Sequence, residues 1–179
     1  TLEKIYQLYS KQHTISTDSR KIEKDCVFVA LKGEHFDGND FAYQVACEGI
    51  ASCVIADRKD LPTHERLFIV DDSLETLQHL ASFHREKCNI PIIGITGTNG
   101  KTTTKELVST VLSKKYNIIY TQGNFNNHIG VPLTLLRIKP DTELAVVEMG
   151  ANHPGEIAQL CKIADPDFGI ITNIGKAHI

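Results

Sequence analysis

Residues 94–102 read GITGTNGKT, a glycine-rich stretch between an apolar run and a helical pattern. A phosphate-binding loop needs small residues, because backbone N–H groups must converge on the phosphate oxygens, and it opens into a helix N-terminus with partial positive charge. It also needs a lysine for the terminal phosphates and a hydroxyl group for Mg²⁺. We therefore predict a nucleotide-binding P-loop formed by Gly97, Thr98, Asn99, Gly100, Lys101, Thr102 and Thr103.

One position departs from the standard P-loop pattern GxxxxGK[ST]. That pattern has a glycine where this sequence has Ile95, and Gly97 lies inside the loop instead. Lys101 is still the expected cation, and Thr102 is the expected hydroxyl ligand of Mg²⁺. The structural alternative is a glycine-rich turn with a solvated lysine, and the strand–loop–helix context argues against it.

From Pro91 onward, apolar segments alternate with helical patterns. Such alternation predicts a parallel sheet that is covered on both faces. The predicted strands comprise residues 92–96, 117–121, 143–148 and 168–173. With the loop-bearing strand in the centre, the strand order is 2-3-1-4, and the last strand is an uncovered edge. An uncovered edge invites pairing with another chain, so we expect self-association of the chain or fraying of this strand.

A nucleotide loop also needs an acidic residue for its metal ion on a neighbouring strand. Leu144-Ala-Val-Val-Glu148 supplies four apolar residues followed by a carboxylate at the predicted end of a strand. Ligands of parallel sheets bind at the carboxyl ends of the strands. Glu148 is therefore the candidate Mg²⁺ ligand, together with Thr102. An ordinary strand-end acid that caps the next turn is the alternative.

The first half of the chain predicts a small mixed α/β domain at residues 1–89, ahead of the P-loop domain at residues 90–179. Asn89-Ile90-Pro91 breaks the helical pattern of residues 73–88, for which Ser73 is the expected N-cap. The fold class is thus α/β, with a truncated second domain. Further helices are predicted at residues 2–9 and 41–49, strands at 26–31, 52–57 and 66–71, and a polar loop at 13–25.

Composition excludes several classes of protein. With 41% hydrophobic residues and a net charge of −3, the chain is not expected to be disordered or to carry a basic field for nucleic acid. No apolar run reaches the length of a membrane span. The five cysteines are scattered and form no CxxC pair, so we expect reduced thiols and a cytoplasmic protein.

Several motifs occur in an order that resembles the Mur ligases, the ATP-dependent amide-bond ligases of peptidoglycan synthesis. In the second half they are TGTNGKTTT (96–104), GNFNNHIGVPLTLL (123–136), VVEMGANHPGEIAQL (146–160) and ITNIGKAH (171–178). STDSRKI (16–22) and VFVALKGEHFDGNDFA (27–42) resemble the UDP-sugar-binding N-terminal domain of that family. The resemblance covers almost the whole chain.

The resemblance implies a reaction. The stretch NFNNHIGVP at residues 124–132 is similar to the branch of the family that adds D-alanyl-D-alanine to UDP-MurNAc-tripeptide. In that reaction ATP phosphorylates the carboxylate of the tripeptide, and the amine of D-alanyl-D-alanine attacks the acyl phosphate. Lys101, Glu148 and His178 then become the catalytic residues. His178 matches the histidine that serves a second metal site, and it joins Thr102 and Glu148 as a metal ligand.

The resemblance also implies substrate contacts. Asp18, Ser19 and Arg20 are candidates for binding the uridine diphosphate, because arginine suits the geometry of a diphosphate; Lys32 and Gly33 share that role. A surface loop with a salt bridge is the alternative. The substrate-binding candidates of the second domain are Asn126 and Asn127, although short amides also form turns and caps. We interpret Asn173 as a loop-shaping residue.

Three alternatives remain open. They are an amino-acid-adding branch of the same family, a folylpolyglutamate synthetase, and a non-catalytic module that binds a UDP-sugar or a nucleotide. Family members have a carbamylated lysine downstream and a C-terminal domain that brings the amine. We therefore interpret the 179 residues as a fragment that binds ligand groups without completing ligation.

Overall fold

The computed structural model describes residues 1–175, which fall into two compact units. The first unit is Thr1–Leu80, and the second begins at Ala81. This division lies inside the helix formed by residues 73–88. The sequence predicts a domain boundary later, at residues 89–90, and that boundary stays a prediction. Each unit is built on a parallel sheet, so the predicted α/β class is confirmed.

The N-terminal unit is a four-stranded parallel sheet with strand order β1-β2-β3-β4. The two central strands are buried along their whole length, as expected for near-continuous apolar strands. The carboxyl ends of all four strands lie at one edge of the sheet. The elements are α1 (Leu2–Tyr9), β1 (Ile15–Ser16), β2 (Val27–Val29), α2 (Asn39–Glu48), β3 (Cys53–Ala56), β4 (Leu67–Ile69) and the first half of α3 (Ser73–Cys88).

Two sequence predictions for this unit are wrong in detail. The predicted polar loop contains β1, whose two residues are too few to show an alternating pattern. Ser73 is the first residue of α3 and not its N-cap. The capping group is the carboxylate of Asp72, whose Oδ1 accepts a hydrogen bond from the backbone N of Glu75 at 2.8 Å.

The second unit contains a four-stranded parallel sheet with strand order β6-β7-β5-β8. In chain order within this sheet, that arrangement is 2-3-1-4, so the predicted topology is confirmed. The elements after α3 are β5 (Ile92–Thr96), α4 (Lys101–Leu112), β6 (Ile118–Tyr120), α5 (Gly130–Leu135), β7 (Leu144–Glu148), α6 (Glu156–Ala164) and β8 (Phe168–Ile171).

The outer strand β8 differs sharply from the centre of this sheet. β7 is buried over four of its five residues, whereas Phe168 and Ile171 of β8 are each 62% exposed. Among the described residues, no strand covers the outer edge of β8. The exposed edge was predicted, and self-association through it stays a prediction. None of the helices described is both long and apolar enough to span a bilayer.

Candidate active site

The predicted phosphate loop connects β5 to α4. Gly97 and Gly100 have φ values of +139° and +78°, in the region that L side chains rarely adopt. A Cβ at Gly97 would also collide with the hydroxyl oxygen of Thr172. Ile95 is a fully buried strand residue. The departure from the standard P-loop pattern therefore has a structural reason. Position 95 lies inside β5, where a glycine is not needed, and the close approach of another segment, at Thr172, occurs at Gly97.

The backbone N–H groups of the loop fall into two sets. Thr98 N donates to the backbone oxygen of Asn173 at 3.2 Å, and Asn99 N donates to Asn173 Oδ1 at 3.0 Å. The first N–H groups of a helix, by contrast, have no partner within the helix. The donors at the start of α4, from Gly100 to Thr103, are thus the ones suited to phosphate oxygens.

Lys101 lies folded into the loop. Its Nζ donates to the backbone oxygen of Gly97 at 2.7 Å and to that of Thr98 at 3.3 Å. It begins α4, so its ammonium group sits beside the positive end of the helix. This arrangement concentrates positive charge where the loop opens.

Glu148 is the buried carboxylate of the site. It ends β7 with a relative exposure of 1%, and its Oε1 accepts hydrogen bonds from Asn126 Nδ2 at 2.8 Å and Thr102 Oγ1 at 3.3 Å. Its Oε2 is buried and has no hydrogen-bond partner within residues 1–175. An unpaired buried carboxylate oxygen is costly, and carboxylate and hydroxyl oxygens are ligands that Mg²⁺ prefers. The residues present therefore fit a divalent cation.

Asn126 and Asn127 differ in what they contact. Asn126 holds Glu148 directly. Asn127 Oδ1 accepts hydrogen bonds from the backbone N of Ile129 and of Gly130, at 3.1 and 2.9 Å, and so caps the start of α5. The side-chain oxygen of Asn127 is thus used to cap a helix, which is the structural alternative to substrate binding for a short amide.

Two cavities meet at Lys101. The larger has a volume of about 590 Å³ and lies on the β7 side of the loop, where Asn126, Asn127 and Asn152 line it. The smaller has a volume of about 360 Å³ and is lined by Ile157 and Ile171, among others. Lys101 lines both cavities and is therefore the residue that they share.

The N-terminal candidates follow β1 and β2 and form a separate group. Arg20 makes a bidentate ion pair with Asp18, with Nε–Oδ1 and Nη2–Oδ2 distances of 2.9 and 3.0 Å. Hydrogen bonds from Arg20 lower the pKa of Asp18 to about 2. The Arg20 side chain is 83% exposed, as in the surface-loop alternative. Ser19 lies between them.

Lys32 and Gly33 begin the loop after β2. Lys32 forms an isolated backbone bridge with Asp37, and Gly33 N donates to the backbone oxygen of Phe36 at 2.7 Å. Since β1 and β2 are parallel neighbours, this loop and the Asp18–Arg20 pair follow the same edge of the N-terminal sheet.

Two family descriptions match the chain. Residues 11–85 match "Mur ligase family, catalytic domain", and residues 95–179 match "Mur ligase middle domain". The chain belongs to the Mur ligase family. The family and the α/β fold expected from the sequence are thus confirmed.

Two ligases are similar to this Mur ligase chain over most of its length. The UDP-N-acetylmuramoyl-tripeptide–D-alanyl-D-alanine ligase of Bacillus subtilis is 46% identical over 169 residues, which are 93% of this chain and 37% of that protein. The crystal structure of MurF from Acinetobacter baumannii matches with a TM-score of 0.86 and 38% identity, over 99% of this chain and 40% of that one.

A structure with a bound nucleotide is also similar. MurF ligase from Thermotoga maritima in complex with ADP matches with a TM-score of 0.83 and 40% identity, over 92% of this chain and 38% of that one. The Mur ligase chain therefore spans well under half the length of the relatives that it matches.

The structure adds two residues that the sequence prediction missed. Lys105 is 1% exposed, and its Nζ donates to the backbone oxygen of Thr121 at 2.9 Å and pairs with Glu106 at 2.8 Å. Thr121 Oγ1 in turn accepts a hydrogen bond from the backbone N of Glu148 at 2.9 Å. Lys105 lies four positions after Lys101 and therefore on the same face of α4; this spacing is the sequence signal that could have identified it.

The predicted ligand His178 lies outside the residues that the structure describes.

Proposed function

We propose that this chain forms the UDP-sugar-binding and nucleotide-binding part of an ATP-dependent ligase that joins D-alanyl-D-alanine to UDP-MurNAc-tripeptide. One observation carries the proposal: the buried Glu148 presents an unpaired oxygen beside Thr102, next to a loop that holds Lys101. The names of the similar ligases and the ADP in the Thermotoga maritima structure support it.

The proposed first step is phosphoryl transfer. An oxygen of the tripeptide carboxylate attacks the γ-phosphorus of ATP, and the bond to the β–γ bridging oxygen breaks, so ADP leaves. Lys101 and the N–H groups at the start of α4 hold the phosphates and offset the charge that develops on them. Thr102 and Glu148 would hold Mg²⁺, which neutralises phosphate charge when bound. The amine of D-alanyl-D-alanine then attacks the acyl carbon and displaces phosphate.

The substrate roles extend the same proposal. Asp18, Ser19, Arg20, Lys32 and Gly33 bind the uridine diphosphate, with Arg20 exchanging the Asp18 carboxylate for diphosphate oxygens of the same geometry. Asn126 and Asn127 line the larger cavity and contact the muramoyl substrate there.

One further role completes the proposal. His178 would hold a second cation. The described cysteines form no disulfide, in keeping with a cytoplasmic enzyme.

Nucleotide binding by this chain tests the proposal. Isothermal titration with ADP and Mg²⁺ should show binding to the wild-type chain. Lys101→Ala should weaken it roughly 10- to 100-fold, because a hydrogen bond from a charged group contributes about 1.5–3 kcal/mol.

Lys114→Ala is the matched control, because Lys114 is an exposed lysine just beyond α4. It should bind ADP as the wild type does. Absence of ADP binding at millimolar concentration, or equal affinity of Lys101→Ala and wild type, would overturn the proposed role of the loop.

A further inference from the structure

The segment that follows β8, residues 172–175, is hydrogen bonded to the phosphate loop. Its central contact is a reciprocal pair, in which Asn173 Oδ1 accepts from Asn99 N at 3.0 Å and Asn173 Nδ2 donates to the Asn99 backbone oxygen at 3.2 Å. The backbone oxygen of Asn173 also accepts from Thr98 N at 3.2 Å. Asn173 thus contacts the backbone of both residues at the tip of the loop, Thr98 and Asn99.

Neighbouring residues strengthen this attachment. Thr172 Oγ1 donates to the backbone oxygen of Asn99 at 2.6 Å. Gly175 N donates to Thr98 Oγ1 at 2.9 Å, and Thr98 Oγ1 donates to the Gly175 backbone oxygen at 3.2 Å. The loop and the segment are 74 positions apart at the Asn99–Asn173 contact, so this is tertiary structure and not a local turn.

The loop needs such an external support. Its two left-handed glycines lose much conformational entropy on ordering, because glycine is the most flexible residue in the unfolded chain. Lys101 is held by the carbonyl groups of Gly97 and Thr98, so the position of its ammonium depends on the same loop conformation.

The side chain of Asn173 suits this role chemically. An amide offers both a donor and an acceptor, whereas aspartate offers acceptors only and alanine offers neither. The backbone of Asn99 has one N–H and one carbonyl, so an asparagine side chain hydrogen bonds to both of them at once.

We propose that Asn173 is a positioning residue for phosphate binding. It acts through Asn99: by fixing the tip of the loop, it keeps the N–H groups at the start of α4 and the Lys101 ammonium directed at a bound phosphate. This inference rests on the proposed nucleotide-binding function of the loop.

Two measurements on the 179-residue chain test the proposal. Amide hydrogen exchange by NMR should be at least tenfold faster at Asn99 in Asn173→Ala than in wild type. In Asn173→Asp, which keeps the acceptor, the Asn99 amide should stay protected. Isothermal titration should show ADP affinity reduced about tenfold in Asn173→Ala, because the loop loses two neutral hydrogen bonds that hold its tip.

Asn117→Ala is the matched control. Asn117 is also exposed and also donates one side-chain hydrogen bond, to the backbone oxygen of Asp141 at 2.9 Å, but it precedes β6 at the opposite edge of the sheet. It should leave both ADP affinity and exchange at Asn99 unchanged.

The outcomes separate this inference from the proposed function. If the wild-type chain binds no ADP, the proposed function fails and the role of Asn173 in phosphate binding fails with it, whereas the exchange rates still show whether Asn173 holds the loop. Equal exchange at Asn99 in wild type and Asn173→Ala would overturn the inference. Faster exchange together with unchanged ADP affinity would also overturn it, because the loop contact would then be structural only.

Discussion

The carboxyl ends of the two parallel sheets carry carboxylates in opposite situations. In the second unit, Glu148 is buried, and one of its oxygens has no partner among residues 1–175. In the N-terminal unit, both oxygens of Asp18 are bonded to the exposed guanidinium of Arg20. Both units use the same geometry, in which the carboxyl ends of parallel strands and the loops that follow them present polar groups at one edge.

The difference lies in what a ligand must displace. A buried oxygen without a partner costs stability, and a cation that binds there recovers that cost. An exposed ion pair is already satisfied and contributes little to stability. Binding at Arg20 must therefore replace the Asp18 carboxylate with another anion of similar shape, whereas binding at Glu148 adds an interaction that is missing.

Replacing Glu148 by glutamine has the largest expected effect. Glu148→Gln keeps the shape of the side chain and removes its charge, so the strengthening of ADP binding by Mg²⁺ should fall roughly 10- to 100-fold, the equivalent of about 1.5–3 kcal/mol for an interaction with a charged group. The free energy of unfolding at pH 7 should stay equal or rise, because a buried charge is removed. Calorimetric titration at several Mg²⁺ concentrations and urea unfolding measure the two effects.

Glu86→Gln is the control for this prediction, because Glu86 is an exposed glutamate of the same unit. It should change neither quantity. If Glu148→Gln retains the full Mg²⁺ dependence, then the unpaired oxygen is not a cation ligand, and the contrast between the two sheets loses its functional meaning.

Lys105 sharpens the comparison, because it is a buried charged group that already has partners. Lys105→Met retains most of the aliphatic side chain but removes the ammonium, so the buried backbone oxygen of Thr121 loses its hydrogen-bond donor. We expect the free energy of unfolding to fall by about 1–3 kcal/mol, the cost of leaving such a group unpaired.

Lys101→Met is the counterpart, since Lys101 lies on the same face of the helix and is more exposed. It should reduce stability less than Lys105→Met and reduce ADP affinity more. Urea unfolding and calorimetry on both variants check this. Equal losses of stability would mean that the two lysines do not divide into a structural and a ligand-binding residue.

The smallest effect concerns the exposed pair. The pKa of Asp18 lies at about 2, below its ordinary value of 3.8. The pair therefore stabilises the fold above about pH 4, and this contribution is lost as the pH falls toward 2. In Arg20→Ala, the pKa of Asp18 should rise toward 3.8, as measured by NMR titration of the carboxyl carbon.

Lys21→Ala is the control, because Lys21 makes only a minor electrostatic contribution to the pKa of Asp18. The pKa should stay near 2 in that variant. An unchanged pKa in Arg20→Ala would show that the pair does not persist in solution, and the guanidinium would then already be free for a diphosphate.

Much of the fold was predictable from local patterns. The strands of the second sheet are short apolar runs bounded by turn residues, and their order follows from the rules for parallel crossovers. The candidate site was predictable at Lys101, Thr102 and Glu148, because the loop motif and a strand-end carboxylate are visible in sequence. The strand β1 was missed, since two residues carry no periodicity, and so was the Asp72 cap, which lies one position before the serine that the pattern favours.

The amino-acid sequence alone was sufficient to establish the family, the alternating architecture and the phosphate loop, because these depend on residue types and spacings along a continuous stretch of chain. The tertiary structure was needed for the unpaired oxygen of Glu148, the burial of Lys105 and the attachment of Asn99 to Asn173. Each of these depends on which distant segments pack together. Whether a polar atom is satisfied is a property of its surroundings in the folded chain, and no local pattern encodes it.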